Sequence, residues 1–154
     1  MDLAALETIA RRLVAPAKGI LAADESTPTI QKRFDAIGVA STAETRRAYR
    51  ELLFKTAGVE AFISGVILFD ETLRQTAADG RPFPELLAQK GILAGIKVDN
   101  GAKALAGFDG EKITEGLDGL RERLREYHDL GARFAKWRAV ITIGEGRPSR
   151  WCLA

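Results

Sequence analysis

An α/β architecture on a parallel sheet, wound as the first half of a (β/α)8 barrel with about four βα units, is what this sequence predicts. Three observations lead there. Four short apolar runs recur along the chain and each ends in charged or polar residues. Helical patterns separate those runs. No G-x-G-x-x-G or G-x-x-x-x-G-K-[ST] follows any of them, which removes the usual glycine signatures of open nucleotide-binding sheets. Polar groups at the C-terminal ends of all four strands favour a barrel over an open sheet, because barrel enzymes keep their chemistry there.

Each element has its own signal. Leu3, Leu6, Ile9 and Leu13 recur at helical spacing and predict an N-terminal helix. The first strand is Gly19-Ile-Leu-Ala-Ala-Asp-Glu-Ser26. Ser41-x-x-Glu44 matches a capping box, and the helix after it places Tyr49, Leu52 and Leu53 on one face. The second strand is Gly65-Val-Ile-Leu-Phe-Asp-Glu-Thr72. Pro84 and Gly91 suit the start and end of a helix, and the third strand, Gly95-Ile-Lys-Val-Asp-Asn100, follows. A helix is expected over about 115–130, with Leu117, Leu120, Leu124 and Tyr127 at helical spacing and Gly131 beyond its end. The fourth strand is Phe134-Ala-Lys-Trp-Arg-Ala-Val-Ile141. The mostly continuous apolar character of the four runs suits strands buried on both faces.

The 154 residues carry a formal net charge of +2, so no basic field argues for nucleic acid or for an anionic membrane. The longest apolar run, near Val66 to Phe69, is far short of a membrane span. Cys152 is the single cysteine, which excludes an intrachain disulfide and any site built on several thiolates. The first residues lack the apolar core of a secretory leader, and a reducing, cytoplasmic setting is expected.

Chemistry is expected at the strand ends, where buried polar groups are costly unless paired or used. Asp24 and Glu25 end the first strand, Lys97 and Asp99 the third, and Lys136 and Arg138 the fourth. Residues two apart on a strand face the same way, so Lys136 and Arg138 share the interior and Trp137 faces the helices. Lysines and an arginine around a carboxylate suit an anionic, oxygen-rich substrate such as a sugar phosphate. A lysine crowded by other cations can also attack a carbonyl to form an imine. The alternative reading is purely structural: Asp24 pairs with Lys136 and Asp99 with Lys97, closing the mouth of the barrel. His128, the only histidine, is read as a solvated helix residue, and no zinc site or Ser-His-Asp triad can be built around one histidine. Arg46, Arg47 and Arg50 are read as solvating a helix face. Asp70 and Glu71 are read as a strand-end pair meeting solvent or a helix N-terminus.

The same stretches carry a family resemblance. Val14-Ala-Pro-Ala-Lys-Gly-Ile-Leu-Ala-Ala-Asp-Glu-Ser-Thr27 resembles the first-strand signature of class I fructose-bisphosphate aldolases. Gly65–Leu73, Asp79-Gly-Arg-Pro-Phe-Pro84, Gly95–Asp99, Gly116-Leu-Asp-Gly-Leu120 and Phe134–Arg138 are similar to further motifs of that family, in its order and at its spacing. The resemblance implies a TIM (β/α)8 barrel and a glycolytic lyase that uses a lysine Schiff base and neither metal nor cofactor. Carried onto this sequence, it makes Asp24 and Lys136 catalytic. Asp24 acts in proton transfer and holds substrate hydroxyls, and Lys136 binds a hydroxyl and helps carbinolamine dehydration. It makes Ser26, Arg33, Lys97 and Arg138 substrate-binding, with Lys97, Ser26 and Arg33 toward phosphate. It also implies a homo-oligomeric full-length protein. Pro28-Thr29 departs from the smaller residues common in the family's phosphate loop.

Residues 1–154 are therefore expected to be a truncated barrel domain ending before strands five to eight. A complete barrel takes about 250 residues, and Pro148-Ser149 with Trp151, Cys152 and Leu153 reads as a helix that has only begun. The Schiff-base lysine belongs to the family's sixth strand, so the chain alone is expected to be inactive. Two further readings remain open: a non-catalytic half-barrel that binds sugar phosphates or self-associates, and a minimal enzyme in which Lys97 or Lys136 forms the imine.

Overall fold

The computed structural model describes residues 2–153. Helix α1 (Leu3–Leu13) begins at Asp2, whose carboxylate accepts from the Ala5 N–H at 3.1 Å. The chain continues through β1 (Gly19–Ala23), α2 (Thr27–Asp35), α3 (Ala43–Lys55), a 3-10 turn (Val59–Ala61), β2 (Ile63–Leu68), α4 (Asp70–Leu73), α5 (Phe83–Gln89) and β3 (Leu93–Lys97). A hairpin of β4 (Ala102–Ala104) and β5 (Lys112–Thr114) precedes α6 (Leu120–Asp129), β6 (Phe134–Lys136) and α7 (Arg150–Leu153). No helix is long and apolar enough to cross a membrane among the described residues.

Strands β1, β2, β3 and β6 form one parallel sheet in sequence order. Such an order never reverses direction, so each right-handed crossover lays its helix on the same face. Alternate strand residues meet those helices. Ala23, Val66, Leu68, Ala94, Ile96 and Val98 join Phe54 of α3, Phe83, Leu86 and Leu87 of α5 and Tyr127 of α6 in one buried cluster. Phe54 and Phe83 stack edge to face with centroids 5.2 Å apart. Removing each ring from water contributes about 2–3 kcal/mol.

The opposite face is built differently. Phe134 pairs with Gly95 across β3 and β6, and its ring lies where side chains at Gly95 and Gly65 would stand. The two glycines leave room for one aromatic ring. Leu13 at the end of α1 reaches the same place, and Ser64 Oγ donates to its carbonyl at 2.7 Å. Thus α1 is fastened at the N-terminal end of this face.

The four strands lie where the apolar runs predict them, with changed limits. β2 starts at Ile63 and ends at Leu68, and Asp70 and Glu71 form the first turn of α4, as an acidic pair at a helix N-terminus does. β6 ends at Lys136 instead of running to Ile141, because only three of its residues have partners on β3. The helix expected over 115–130 begins only at Leu120, since Lys112–Thr114 pairs with Ala102–Ala104 and Leu117 is left exposed. Gly101 and Gly116 close that hairpin: Asn100 N–H donates to the Glu115 carbonyl at 2.8 Å. A side chain at Gly116 would stand 2.9 Å from the Asn100 nitrogen at a φ of +128°, so glycine is required there.

Three helix-face readings need correction. The capping box of α3 is made by Thr42 and Thr45, not by Ser41 and Glu44; Thr45 N–H donates to Thr42 Oγ1 at 3.1 Å. Leu52 points to solvent, and the buried face of α3 carries Arg50 and Phe54 instead. Nor do Arg46, Arg47 and Arg50 simply solvate a helix. Arg46 grips both oxygens of Glu71 at 2.6 and 2.8 Å, and Arg50 is 2% exposed.

Glu51 is the other anchor of α3. Lys55, Arg47 and the Ala78 N–H all donate to its carboxylate, holding its pKa down to about 2 from an ordinary 4.5. A carboxyl whose pKa is lower folded than unfolded stabilises the fold above the unfolded value, and loses that contribution as the pH falls toward the folded one. The Glu51→Gln variant is therefore expected to lose stability at neutral pH and to show a flatter stability profile than wild type between about pH 4.5 and pH 2. Urea midpoints measured across that range check this; parallel profiles for the two proteins would refute it.

Candidate active site

The C-terminal ends of the strands carry two ion pairs side by side. Lys97 and Lys136 are direct neighbours across β3 and β6. Lys136 Nζ donates to Asp24 Oδ2 at 2.7 Å. Lys97 Nζ donates to Asp99 Oδ1 at 2.8 Å and to the Asp99 carbonyl at 2.6 Å. The groups are half-buried or buried, with the Lys136 and Asp24 side chains 27% and 11% exposed. Both ammonium ions keep partial contact with solvent, with the Lys97 side chain 17% exposed.

The Asp24–Lys136 pair joins the two edge strands of the sheet, 112 residues apart in sequence. In a flat sheet three inter-strand gaps would separate those edges by about 14 Å. A lysine and an aspartate side chain together reach about 10 Å from their Cα atoms, and the 2.7 Å hydrogen bond extends the span to about 13 Å, still short of that separation. The contact thus requires the sheet to curve, concave toward the face that holds Phe134.

Burial works against the Asp99 anion, but the Lys97 ammonium, the Gly101 N–H and the nearby charge of Lys136 outweigh it and hold the carboxyl below its usual range. Asp99 Oδ2 is buried without a hydrogen-bond partner among the described residues. That unpaired oxygen faces a crowded, cationic surrounding. Among the described residues no three carboxylate, histidine or cysteine side chains stand close enough to hold a metal ion.

The remaining expected residues are spread around this core. Ser26 is the N-cap of α2, and its Oγ lies 3.1 Å from Thr29 Oγ1. Pro28 occupies the first turn of that helix, where its missing N–H costs nothing. Arg33, farther along α2, pairs with the Glu25 carboxylate while its own side chain stays 57% exposed. Arg138 lies just beyond β6 and is exposed. Its carbonyl accepts from Thr114 Oγ1 at 2.8 Å, but its side chain makes no hydrogen bond or ion pair among the described residues. Asp24, Lys97 and Lys136 are brought together, Ser26 and Arg33 flank them on one side, and Arg138 stands apart.

Sequence reasoning missed two supports of the site. Arg50 of α3 binds the Glu25 carboxylate and, through its second nitrogen, the Glu25 carbonyl at 3.1 Å. Arg123 of α6 donates to the Val98 carbonyl at 3.1 Å and to the Gly116 carbonyl, tying the loop after β3 to its following helix. Either could be suspected only from a lone arginine at a helix position that faces the sheet. A cavity of about 700 Å³ lies at the other end of the strands, where Ile9 and Arg12 of α1 face Pro84, Ile92 and Gly131. It is remote from the ion pairs, and the chemistry belongs with them.

Comparison with known proteins identifies the family. The family model described as "Fructose-bisphosphate aldolase class-I" matches residues 5–154. A Xanthomonas campestris protein named "Probable fructose-bisphosphate aldolase class 1" is 60% identical over 153 residues, 99% of this chain and 46% of that protein. "Fructose-bisphosphate aldolase 1" of Toxoplasma gondii is 56% identical over 142 residues, 91% of this chain and 39% of its own length. Among solved structures, fructose-bisphosphate aldolase from Plasmodium falciparum superposes with a TM-score of 0.94 at 50% identity, covering 99% of this chain and 46% of that one. The chain thus spans less than half the length of the relatives it matches. With a family match over nearly every residue and a solved relative of the same fold, the chain belongs to the class I fructose-bisphosphate aldolases.

Proposed function

We propose that this chain supplies the first four βα units of a (β/α)8 barrel that reversibly cleaves fructose 1,6-bisphosphate to dihydroxyacetone phosphate and glyceraldehyde 3-phosphate through a lysine Schiff base. The observation that carries the reading is the Asp24–Lys136 pair, which bends the edge strands toward each other and sets a carboxylate and an ammonium at the mouth of the concave face. The unreversed strand order supports the same reading, since an open doubly wound sheet reverses at its binding crevice.

In this reading the imine draws off the electron pair of the breaking bond between the third and fourth substrate carbons, so no free carbanion forms. Asp24 moves a proton beside the imine and orients hydroxyls. Lys136 binds a hydroxyl and assists loss of water from the carbinolamine. Lys97, Ser26 and Arg33 hold phosphate, and Arg138 swings in from its exposed position to line the pocket. Cations on both phosphates fix the reacting geometry. The imine lysine lies on the family's sixth strand, outside residues 1–154, so we assign the covalent step to the complete barrel. The proposed setting is the cytoplasm, in keeping with Arabidopsis thaliana and Spinacia oleracea relatives named cytosolic and cytoplasmic, and the proposed complete protein is a homo-oligomer.

Borohydride trapping tests this. The 154-residue chain is compared with a chimaera in which residues 1–154 are followed by the remainder of the Xanthomonas campestris relative. With dihydroxyacetone phosphate, intact mass should show one adduct per chimaera and none on the shorter chain. A stoichiometric adduct on the shorter chain would place the imine on Lys97, Lys136 or another local lysine. A chimaera that folds yet neither traps substrate nor cleaves fructose 1,6-bisphosphate would refute the aldolase reading.

A further inference from the structure

We propose that Arg50 is a positioning residue for catalysis: by gripping Glu25 at two points it fixes the strand end that holds the Asp24 carboxylate against Lys136. The proposal rests on the aldolase reading of that pair and adds a residue that does not touch substrate.

Consecutive residues at the end of β1 point opposite ways. Asp24 turns to the concave face and meets Lys136 at 2.7 Å, while Glu25 turns outward and is taken by Arg50 and Arg33. The Arg50 grip is unusual in three respects. Its guanidinium binds both the side chain and the main chain of Glu25, the latter at 3.1 Å, so it restrains the backbone and not only a carboxylate. It is 2% exposed, and its Nε has no hydrogen-bond partner among the described residues. A cation left that dry is strongly tied to the carboxylate it contacts. Its guanidinium carbon also lies 5.4 Å from the centroid of the Tyr49 ring, which in turn meets Phe34 of α2 edge to face at 5.8 Å. Arg33 joins Glu25 to α2 from the other side. Two helices therefore converge on one residue, and that residue is the immediate neighbour of Asp24.

The mechanical consequence is local. Asp24 lies one residue past the end of β1, whose register with β2 stops at Ala23, so its position depends on how the following turn is held. Without the grip on Glu25, the turn between β1 and α2 can rotate and carry Asp24 away from Lys136. Misplacement by about 1 Å at a reacting group costs up to about 100-fold in rate.

Arg50→Lys separates the grip from the charge. A lysine keeps a cation beside Glu25 but cannot bind carboxylate and carbonyl together through a rigid fork. Glu25→Gln is the second variant and removes the anion from the other side. Both are made in the chimaera and read in two ways. In competitive reductive methylation analysed by peptide mass, Lys136 should label severalfold faster than in the unsubstituted protein, with Lys97, still held by Asp99, as the internal reference. In steady-state kinetics kcat should fall by about tenfold to 100-fold with KM little changed, the pattern of an interaction made in the transition state. An unchanged Lys136 to Lys97 labelling ratio in both variants would overturn the proposal. So would labelling that rises equally at both lysines, which is loss of fold and not of position. An unsubstituted chimaera without lyase activity would refute the reading of the site, and the labelling ratio would still decide whether Arg50 positions Asp24.

Discussion

Under the proposed function, exchanging Asp24 for Asn in the chimaera is expected to lower kcat for fructose 1,6-bisphosphate cleavage by about 10²–10⁴-fold, the usual contribution of a positioned acid or base. The change is close to isosteric. An amide oxygen can still accept from Lys136 Nζ, now 2.7 Å from the carboxylate, but it cannot take up a proton or balance the ammonium. The fold should survive, because the site is partly open to water and the lysine can hydrate. A thermal midpoint close to wild type alongside the kinetic loss would separate chemistry from stability. Lys136→Met gives the complementary test: it leaves Asp24 a carboxylate without its cation, and imine formation in the borohydride assay should slow with cleavage. Asp24→Asn retaining kcat within about threefold would remove Asp24 from proton transfer, since such a loss is far below general acid–base magnitudes.

The largest structural effect is expected at Gly95. A Cβ there would stand within 2.5 Å of three carbons of the Phe134 ring. The ring also covers Gly65, where a Cβ would lie 2.7 Å from Leu13 and 3.1 Å from Phe134, so one aromatic side chain and Leu13 fill the space over two glycines. Gly95→Ala is therefore expected to destabilise the fold by about 3 kcal/mol, the upper range for overpacking. For a chain of this length each kcal/mol lowers the thermal midpoint by about 2–4 °C. Combining it with Phe134→Leu should recover part of the loss, with a coupling of about 1–2 kcal/mol between the sites. A single variant of wild-type stability, or strictly additive losses in the pair, would refute the account of two glycines as the seat of this ring. The effect should extend to function, because Phe134 and Lys136 share one face of β6.

The apolar runs that lead into Asp24, Asp70 and Lys97, and the run Phe134–Ile141, marked the strands because burial on both faces leaves a mostly continuous hydrophobic stretch, whatever lies nearby. Gly91 and Gly131 marked helix ends because a left-handed residue is a local demand, and both have positive φ. The hairpin of Ala102–Ala104 and Lys112–Thr114 escaped notice because its strands are three residues long, too short for a period to register. Its presence is what moved the start of α6 from the expected position to Leu120. Arg138 illustrates the opposite failure: alternation places it beside Lys136 only if the strand continues, and pairing with β3 stops at Lys136.

By itself, then, the sequence determined where the four parallel strands lie, their order, and the family, because propensity, periodicity and motif spacing act over a few residues at a time. The sequence offered the Lys97–Asp99 and Asp24–Lys136 pairs as one alternative, and the first is local; the tertiary structure decided that Asp24 does meet Lys136, and that Arg50 is buried on Glu25 when its neighbours on the same helix suggested a solvated face. Those outcomes depend on sheet curvature and on contacts between residues 25 and 112 positions apart. A charged group is stable in such a place only when its partner is already there.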